Sequence, residues 1–340
     1  MKSMFLIFFS GLLVVGLVIA LAQFAPQKLF HLLPQLNRIS WTWTGIFLAL
    51  LLFLSVYAGF GLIQTHWLPA ILCTSVLAIA AIVSLYNKQI RAAFNTLFAY
   101  QRLLLEIGLL LIGTFLTFIA IELPSNPAIA GFWIEGLILE NVIILVIFLI
   151  FHLLFQRSGA GAVIAAFLFE CAGLAEYFVV SFKGVPIIAS DILALGTAAT
   201  VSGSYSYVLN ERVLISFAVF ALALVVLSLT PKPQRAKKPA IAFVANTFGG
   251  LIMAGIAVFI ATTVSFSEFP GIKYNAWIPL DSYHREGFIS SFVTQIQSFR
   301  PVQPKGYSKE EAEKLLSGYA NKYEENLAQT DSSSSSNANS

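Results

Sequence analysis

WIEGLILENVIILVIFLIFHLLF, Trp133 to Phe155, decides the class of fold. Between Asn141 and His152 every residue is apolar. A bilayer core about 30 Å thick is crossed by roughly 20 residues of helix, and this window has that length. Comparable windows, each of roughly 18–25 residues, recur along the chain. They fall at 4–24, 44–64, 67–86, 104–122, 163–183, 214–231 and 240–266. With 133–155 they make eight spans, to within one. The window at 67–86 is the least regular, because Pro69 and the Gln64-Thr65-His66 turn crowd its start. Hydrophobic residues make up 58% of the 340 and charged ones only 11%, which no soluble domain sustains throughout. Backbone groups in lipid must be satisfied within the segment, so the spans are helices. The expected fold is all-α: a polytopic bundle with interfacial amphipathic helices and a disordered C-terminal tail.

The basic residues fall in alternate loops. One set holds Lys28 and Arg38, then Lys88, Arg91 and Arg102, then Arg157, then Lys232, Arg235, Lys237 and Lys238. The other set holds almost none before residue 183. The positive-inside rule puts the first set in the cytoplasm, with PKPQRAKKP, Pro231 to Pro239, as its strongest marker. The segments 184–213 and beyond 267 are then extracytoplasmic, as is the C-terminus. The net charge of +3 sits in short loops and implies no nucleic-acid partner. MKSMFLIFFSGLLVVGLVIALAQFAPQ reads as a retained first helix, its apolar run being longer than a signal peptide needs. Cys73 and Cys171 fall inside spans, and no Cys/His spacing suggests a metal site. No internal repeat of the kind common in transporters is evident.

SFKGVPIIASDILALGTAATVSG, Ser181 to Gly203, is too broken to span and too apolar for an ordinary loop. Gly184 and Pro186 end the preceding helix, and Ser190 or Asp191 can cap a short new one over about 184–200. Ile192, Leu193, Leu195 and Ala199 give that helix an apolar side, suited to the outer interface. Lys183 would sit at headgroup depth, reaching lipid phosphate. The plainer reading is a structural elbow between two spans.

After the last span, Phe288, Phe292, Ile296 and Phe299 recur at helical spacing with Ser, Thr and Gln between them, a short amphipathic helix for the membrane surface. Ser308 and Glu311 form a capping-box pattern for a charged helix at about 309–328. DSSSSSNANS is a linker-like end. The expected divisions are 1–100 (about three helices), 101–266 (a five-helix module), 267–307 (a juxtamembrane connector) and 308–340 (capped helix and tail).

Ionisable residues within spans are costly and are functional candidates by default. Glu170 and Glu176 are of this kind. Glu122, Glu135 and Glu140 fall toward the outer surface, His152 and Arg157 toward the inner one. The spacing predicts an Arg102–Glu106 pair on one helix, with His152 a partner for Glu170 and Lys183 a partner for Glu176. Gly249, Gly250 and Gly255 are expected to allow close helix packing.

The stretch EYFVVSFKGVPIIASDILALGTAATVSGSY resembles the segment before the last two helices in the lipoteichoic acid synthase family. These are polytopic phosphoglycerol transferases in which a stretch like F-[RK]-G-x-P-[IL]-x-x-x-D-[IL] follows the third helix of a five-helix module. Phe182, Lys183, Gly184, Pro186, Ile187, Asp191 and Ile192 match it. Glu122 at the end of one span, Asn141 in the next, and Trp277, Tyr283, Gly287-Phe288 and Gly306-Tyr307-Ser308 beyond the last agree with it. The resemblance covers roughly residues 100–325. It implies a five-helix membrane module and a connector to an extracellular, sulfatase-like catalytic domain, which would supply a threonine nucleophile and use manganese. That domain does not follow Ser308, and no threonine here is assignable as nucleophile.

The resemblance therefore implies a module that anchors and positions a phosphatidylglycerol-like lipid for a catalytic domain not present in this chain, fused or separately encoded. The chain alone is expected to be inactive and to need no cofactor. The implied location is the plasma membrane of a Gram-positive bacterium. The candidates facing lipid or substrate are Lys183, Gly184, Pro186, Ser190 and Asp191. The intramembrane candidates are Glu122, Asn141, His152, Glu170 and Glu176. Two alternatives stand beside this reading: a scaffold for a partner enzyme, and a solute or lipid transporter.

Overall fold

The computed structural model describes residues 2–24, 38–94, 96–193, 196, 200, 203, 205–231, 238–264, 266, 274–275, 277–298 and 308–336. Eight helices are long and apolar enough to cross a membrane. They are α1 (Lys2–Phe24), α2 (Arg38–Gly59), α3 (Trp67–Leu85), α5 (Ala99–Glu122), α6 (Ile134–Leu154), α7 (Gly159–Lys183), α9 (Glu211–Ser228) and α10 (Pro239–Thr263). Shorter helices complete the set: α4 (Asn87–Phe94), α8 (Ala189–Leu193), α11 (Pro279–Glu286), α12 (Phe288–Ser298) and the charged α13 (Lys309–Ser336). Among the described residues there is no strand, only an isolated bridge between Ile63 and Leu209. The fold is therefore the all-α, multi-pass bundle that hydropathy predicts.

Two compact units divide the chain, Met1–Gln297 and Ser298–Ser340. In the second, α13 begins as expected, with the Glu311 amide donating to Ser308 Oγ at 3.1 Å. It then runs on to Ser336, past the point where the serine run was expected to end it. Serine is only a mediocre helix former, and here it prolongs a helix already nucleated. Residues 337–340 of the predicted disordered end lie outside the described residues.

In the first unit, α1, α2 and α3 pack on one another, and α3 packs on α9. Helix α9 is the hub, touching α3, α5 and α7, and 61% of its apolar window is buried. Helix α10 is peripheral, packed chiefly on α6, with only 6% of its window buried. In a membrane its remaining surface meets lipid. Gly250 lets α10 approach Leu154 on α6, but the expected role of Gly255 fails, since nothing lies within 4 Å of it.

The loop before α9 ties the two groups of spans together. Tyr57 Oη on α2 donates to the Tyr207 carbonyl at 2.6 Å, and Tyr177 Oη on α7 donates to that of Val208 at 3.1 Å. The Leu209 amide donates to Leu62 O at 2.8 Å, and Gln64 N donates back to Leu209 O at 2.9 Å. At the opposite end of the bundle, Arg91 on α4 donates to Thr230 O at 2.9 Å, beyond the C-terminus of α9.

That basic end also holds the first correction. Glu106 is buried, and Arg157 grips both its oxygens, Nε reaching Oε1 at 2.9 Å. His152 Nε2 lies 2.8 Å from the same Oε1. The expected local pair with Arg102 is thus replaced as the principal contact, and Arg102 Nε donates to Leu97 O. Arg157 and Gln156 adopt left-handed φ values of 54° and 57°, rare for residues with a Cβ. The sharp turn between α6 and α7 swings Arg157 back under α5.

Candidate functional site

At the end of the bundle away from the basic loops, α7 stops at Gly184, whose φ of +73° provides a left-handed cap. Pro186 is buried just beyond it. The chain then turns into α8. Lys183 Nζ meets both oxygens of Asp191 at 2.9 Å, and the Ile188 amide donates to Asp191 Oδ2 at 3.0 Å. One carboxylate therefore holds the elbow together and fixes the ammonium group. Both side chains remain partly open, at 43% and 31% exposure, so the pair can still meet an ion or a lipid headgroup. Ser190 is half-buried beside it. Of the helix expected over 184–200, Ala189–Leu193 forms α8; Leu195 and Ala199 lie outside the described residues.

An aromatic shelf flanks the elbow. Phe182 stacks on Tyr205 with centroids 4.5 Å apart, and meets Tyr207 edge-on at 5.3 Å. Phe178 contacts both Phe182 and Tyr207. Tyr205 is exposed, giving the shelf an open edge. Aromatic rings of this kind favour the depth of lipid headgroups.

Behind the elbow, α11 and α12 are seated on the ends of α5, α6 and α7. Gly136 on α6 admits the backbone of Glu286, because a Cβ there would lie 2.5 Å from Glu286 Cα. Trp133 N donates to Arg285 O at 2.9 Å, and Asn126 Nδ2 donates to His284 O at 2.9 Å. Glu122 Oε1 accepts from Phe288 N at 2.7 Å, and Glu140 Oε1 accepts from Ile289 N at 3.3 Å. Glu176 Oε2 accepts from Ile187 N at 2.8 Å, and Tyr283 Oη donates to Ile187 O at 2.7 Å. The Gln295 carbonyl accepts from Ala189 N at 2.8 Å, so α12 also holds α8. Gln297 closes the end of α10, donating to Ala261 O and Val264 O and accepting from Phe266 N.

Burial raises the Tyr283 phenol above its ordinary pKa, with Glu176 as the nearest added cause, so it stays a donor. Burial also lowers the His284 imidazole below its ordinary value. Among the described residues no group of three or more His, Cys, Asp or Glu side chains is arranged to hold a metal ion. The manganese chemistry implied by the family resemblance has no donor set in this site.

No protein-family model, no curated protein and no solved structure matches the chain. Its function therefore has to be argued from the site.

The structure brings Lys183, Gly184, Pro186, Asp191, Glu122 and Glu176 together at this end. His152 lies at the opposite end with Glu106. The predicted partners of Glu170 and Glu176 are both corrected. Glu170 accepts from Ser216 Oγ on α9 at 2.9 Å, and that hydroxyl also reaches Ala120 O, because the face of α7 carrying Glu170 packs on α5 and α9. Glu176 takes a backbone amide, because Lys183 is held by Asp191. Asn141 donates to Leu137 O of its own helix at 2.9 Å. Glu140, read from sequence as falling toward the outer side of the membrane, lies at this same end, buried under α12.

Helix α12 is buried on more than its apolar side: Phe288 and Ile289 belong to the core and Phe292 packs against it. Ser290, Ser291, Thr294 and Gln295 are buried against the bundle, and Ile296 is exposed. The Ser290 and Thr294 hydroxyls donate to Glu286 O and Ser290 O one turn back, and Gln295 reaches Ala189 N on α8 and Tyr274 Oη. Phe299 lies outside the described residues. Sequence reasoning also missed Asn126, Gln295 and Gln297. A buried-partner argument could have flagged the two glutamines, since each sits one turn from the apolar stripe on a short helix otherwise free of charge.

Proposed function

We propose that this chain is the membrane module of a phosphoglycerol-transferase-like system. It holds the headgroup of an anionic, phosphatidylglycerol-like lipid at the elbow of Lys183 and Asp191. The observation that carries this reading is the partly exposed Lys183 ammonium, fixed by Asp191 beside an open aromatic shelf at the end of a span. A lysine at headgroup depth attracts anionic lipid by about 1 kcal/mol. The fixed geometry adds orientation, and holding a reactant in place lowers the entropic barrier to transfer. The bond-making chemistry, with its threonine nucleophile and manganese, belongs to a sulfatase-like domain, fused or separately encoded. The resemblance of residues 100–325 supports that assignment, along with a plasma-membrane location in a Gram-positive bacterium and an extracytoplasmic site. The exposed stripe of Leu315, Leu316, Tyr319 and Tyr323 on α13 favours a second reading, a scaffold that recruits a partner enzyme.

The test is photolabelling of the chain in nanodiscs by a phosphatidylglycerol analogue carrying its reactive group in the headgroup. Label should concentrate in 181–207. K183A should reduce it, while D191N, which releases the ammonium from its carboxylate, should increase it. Equal loss in both variants would mean that the pair only builds the elbow, and the lipid-binding reading would fall.

A further inference from the structure

The seat of α12 contains a proton-binding site that the proposed function does not use. Glu122 and Glu140 come from different helices, are 1% and 0% exposed, and receive successive amides of the first turn of α12. Because they accept from adjacent amides, the two carboxyl groups lie side by side. Glu122 is satisfied on both oxygens, by Phe288 N on Oε1 and by Asn126 Nδ2 at 3.1 Å on Oε2. Glu140 is not: its buried Oε2 meets no donor from the described residues. That oxygen points at Gly287, where a Cβ would sit 1.3 Å from it. A carboxylate oxygen accepts only, so contact between two carboxyl groups requires a proton on one of them.

The geometry points to a single proton shared by the pair, carried on Glu140 Oε2 and donated to the Glu122 carboxylate, as the latch that holds the α11–α12 connector on the bundle. One negative charge remains, and the N-terminus of an eleven-residue helix offers it amides and a favourable dipole. Loss of the proton to solvent leaves a second charge in the same buried site, with no cation among the described residues paired to it. The pair must then separate or admit water, and either requires α12 to lift. Gly287, with φ of +99° and no side chain, is the joint about which it lifts.

The other charged groups around the seat do not replace the proton. Glu176 faces it from α7, and Glu286 from α11, both buried and both acidic. Asp281 pairs with Arg285, whose guanidinium lies over the Trp133 ring. Lys183 is held by Asp191. His284 titrates on the acidic side and so affects the other limb of any pH profile. Helix α12 carries no titratable residue.

The test is hydrogen–deuterium exchange of the full chain in nanodiscs, followed over residues 283–294 and corrected for the intrinsic pH dependence of exchange. Protection should fall at least about tenfold as pH is raised from neutrality into the alkaline range. E140Q, whose amide donates permanently to Glu122, should keep its protection across that range. If E140Q does not fold, E122Q provides the same neutralisation and the same reading. Wild-type protection that does not change above neutral pH would overturn the latch. So would a Gln variant that loses protection in parallel with the wild type.

Discussion

Arg157 reaches Glu106 from a turn in which it and Gln156 both adopt the left-handed conformation. Such a conformation costs of order 1 kcal/mol or more per residue and persists only when the surroundings hold it. Here the buried carboxylate does so. Removing the guanidinium would leave Glu106 charged, buried and paired only with His152. R157A should therefore destabilise the unit by about 3 kcal/mol or more. E106Q in the same chain should restore most of the loss, because the charge that needed Arg157 is gone. Thermal unfolding of the four members of the cycle checks this, and additive losses would contradict it. The same site shows why individual partners were illegible in the sequence. Arg102 and Glu106 have helix-neighbour spacing, so the local pair looked sufficient. The actual partners are on α6 and the turn after it, and no spacing rule reaches across helices. Glu170 and Ser216 are missed for the same reason.

At the scale of elements, hydropathy located every span to within six residues at either end, because the bilayer sets both length and composition. It did not foresee that α12 is buried along its polar side as well as at Phe288. Periodicity shows that a helix has an apolar stripe and a polar stripe, but not which one finds protein. Ser290 and Thr294 satisfy their hydroxyls on carbonyls of the preceding turn, and Gln295 reaches Ala189 N and Tyr274 Oη, so the polar stripe can be buried as well. The preceding helix has its own pH response. His284 is neutral by preference when α11 is docked, since burial lowers its pKa below the ordinary 6.5. The undocked state then binds the proton more readily, so docking is complete above about pH 6.5 and weakens as pH falls through the lowered value. Exchange protection of 279–286 should decline below about pH 6 in the wild type and stay level in H284N. A decline shared by both would place the titration elsewhere.

For the whole molecule, the decisive quantity is which end of the bundle faces out. The two ends differ in kind. One carries Lys88, Arg91, Arg102 and Arg157 and leads to the basic run at 232–238. The other carries the Lys183 elbow, the aromatic shelf and the carboxylate seat. Basic loops are retained on the cytoplasmic side, so the elbow and α11 are expected outside, where a domain working on outer-leaflet lipid would need them. Introduced thiols can decide the matter in a Cys171→Ser background, the remaining Cys73 being buried. Lys88 and Asp281 are both exposed and lie at opposite ends. D281C should react with a membrane-impermeant maleimide in intact cells, and K88C only after permeabilisation. The reverse pattern would put the Lys183 elbow in the cytoplasm. It would leave the fold, the Glu106 pair and the shared proton intact, but it would remove the phosphoglycerol-transferase reading, because that chemistry requires substrate and catalytic domain on the outer face.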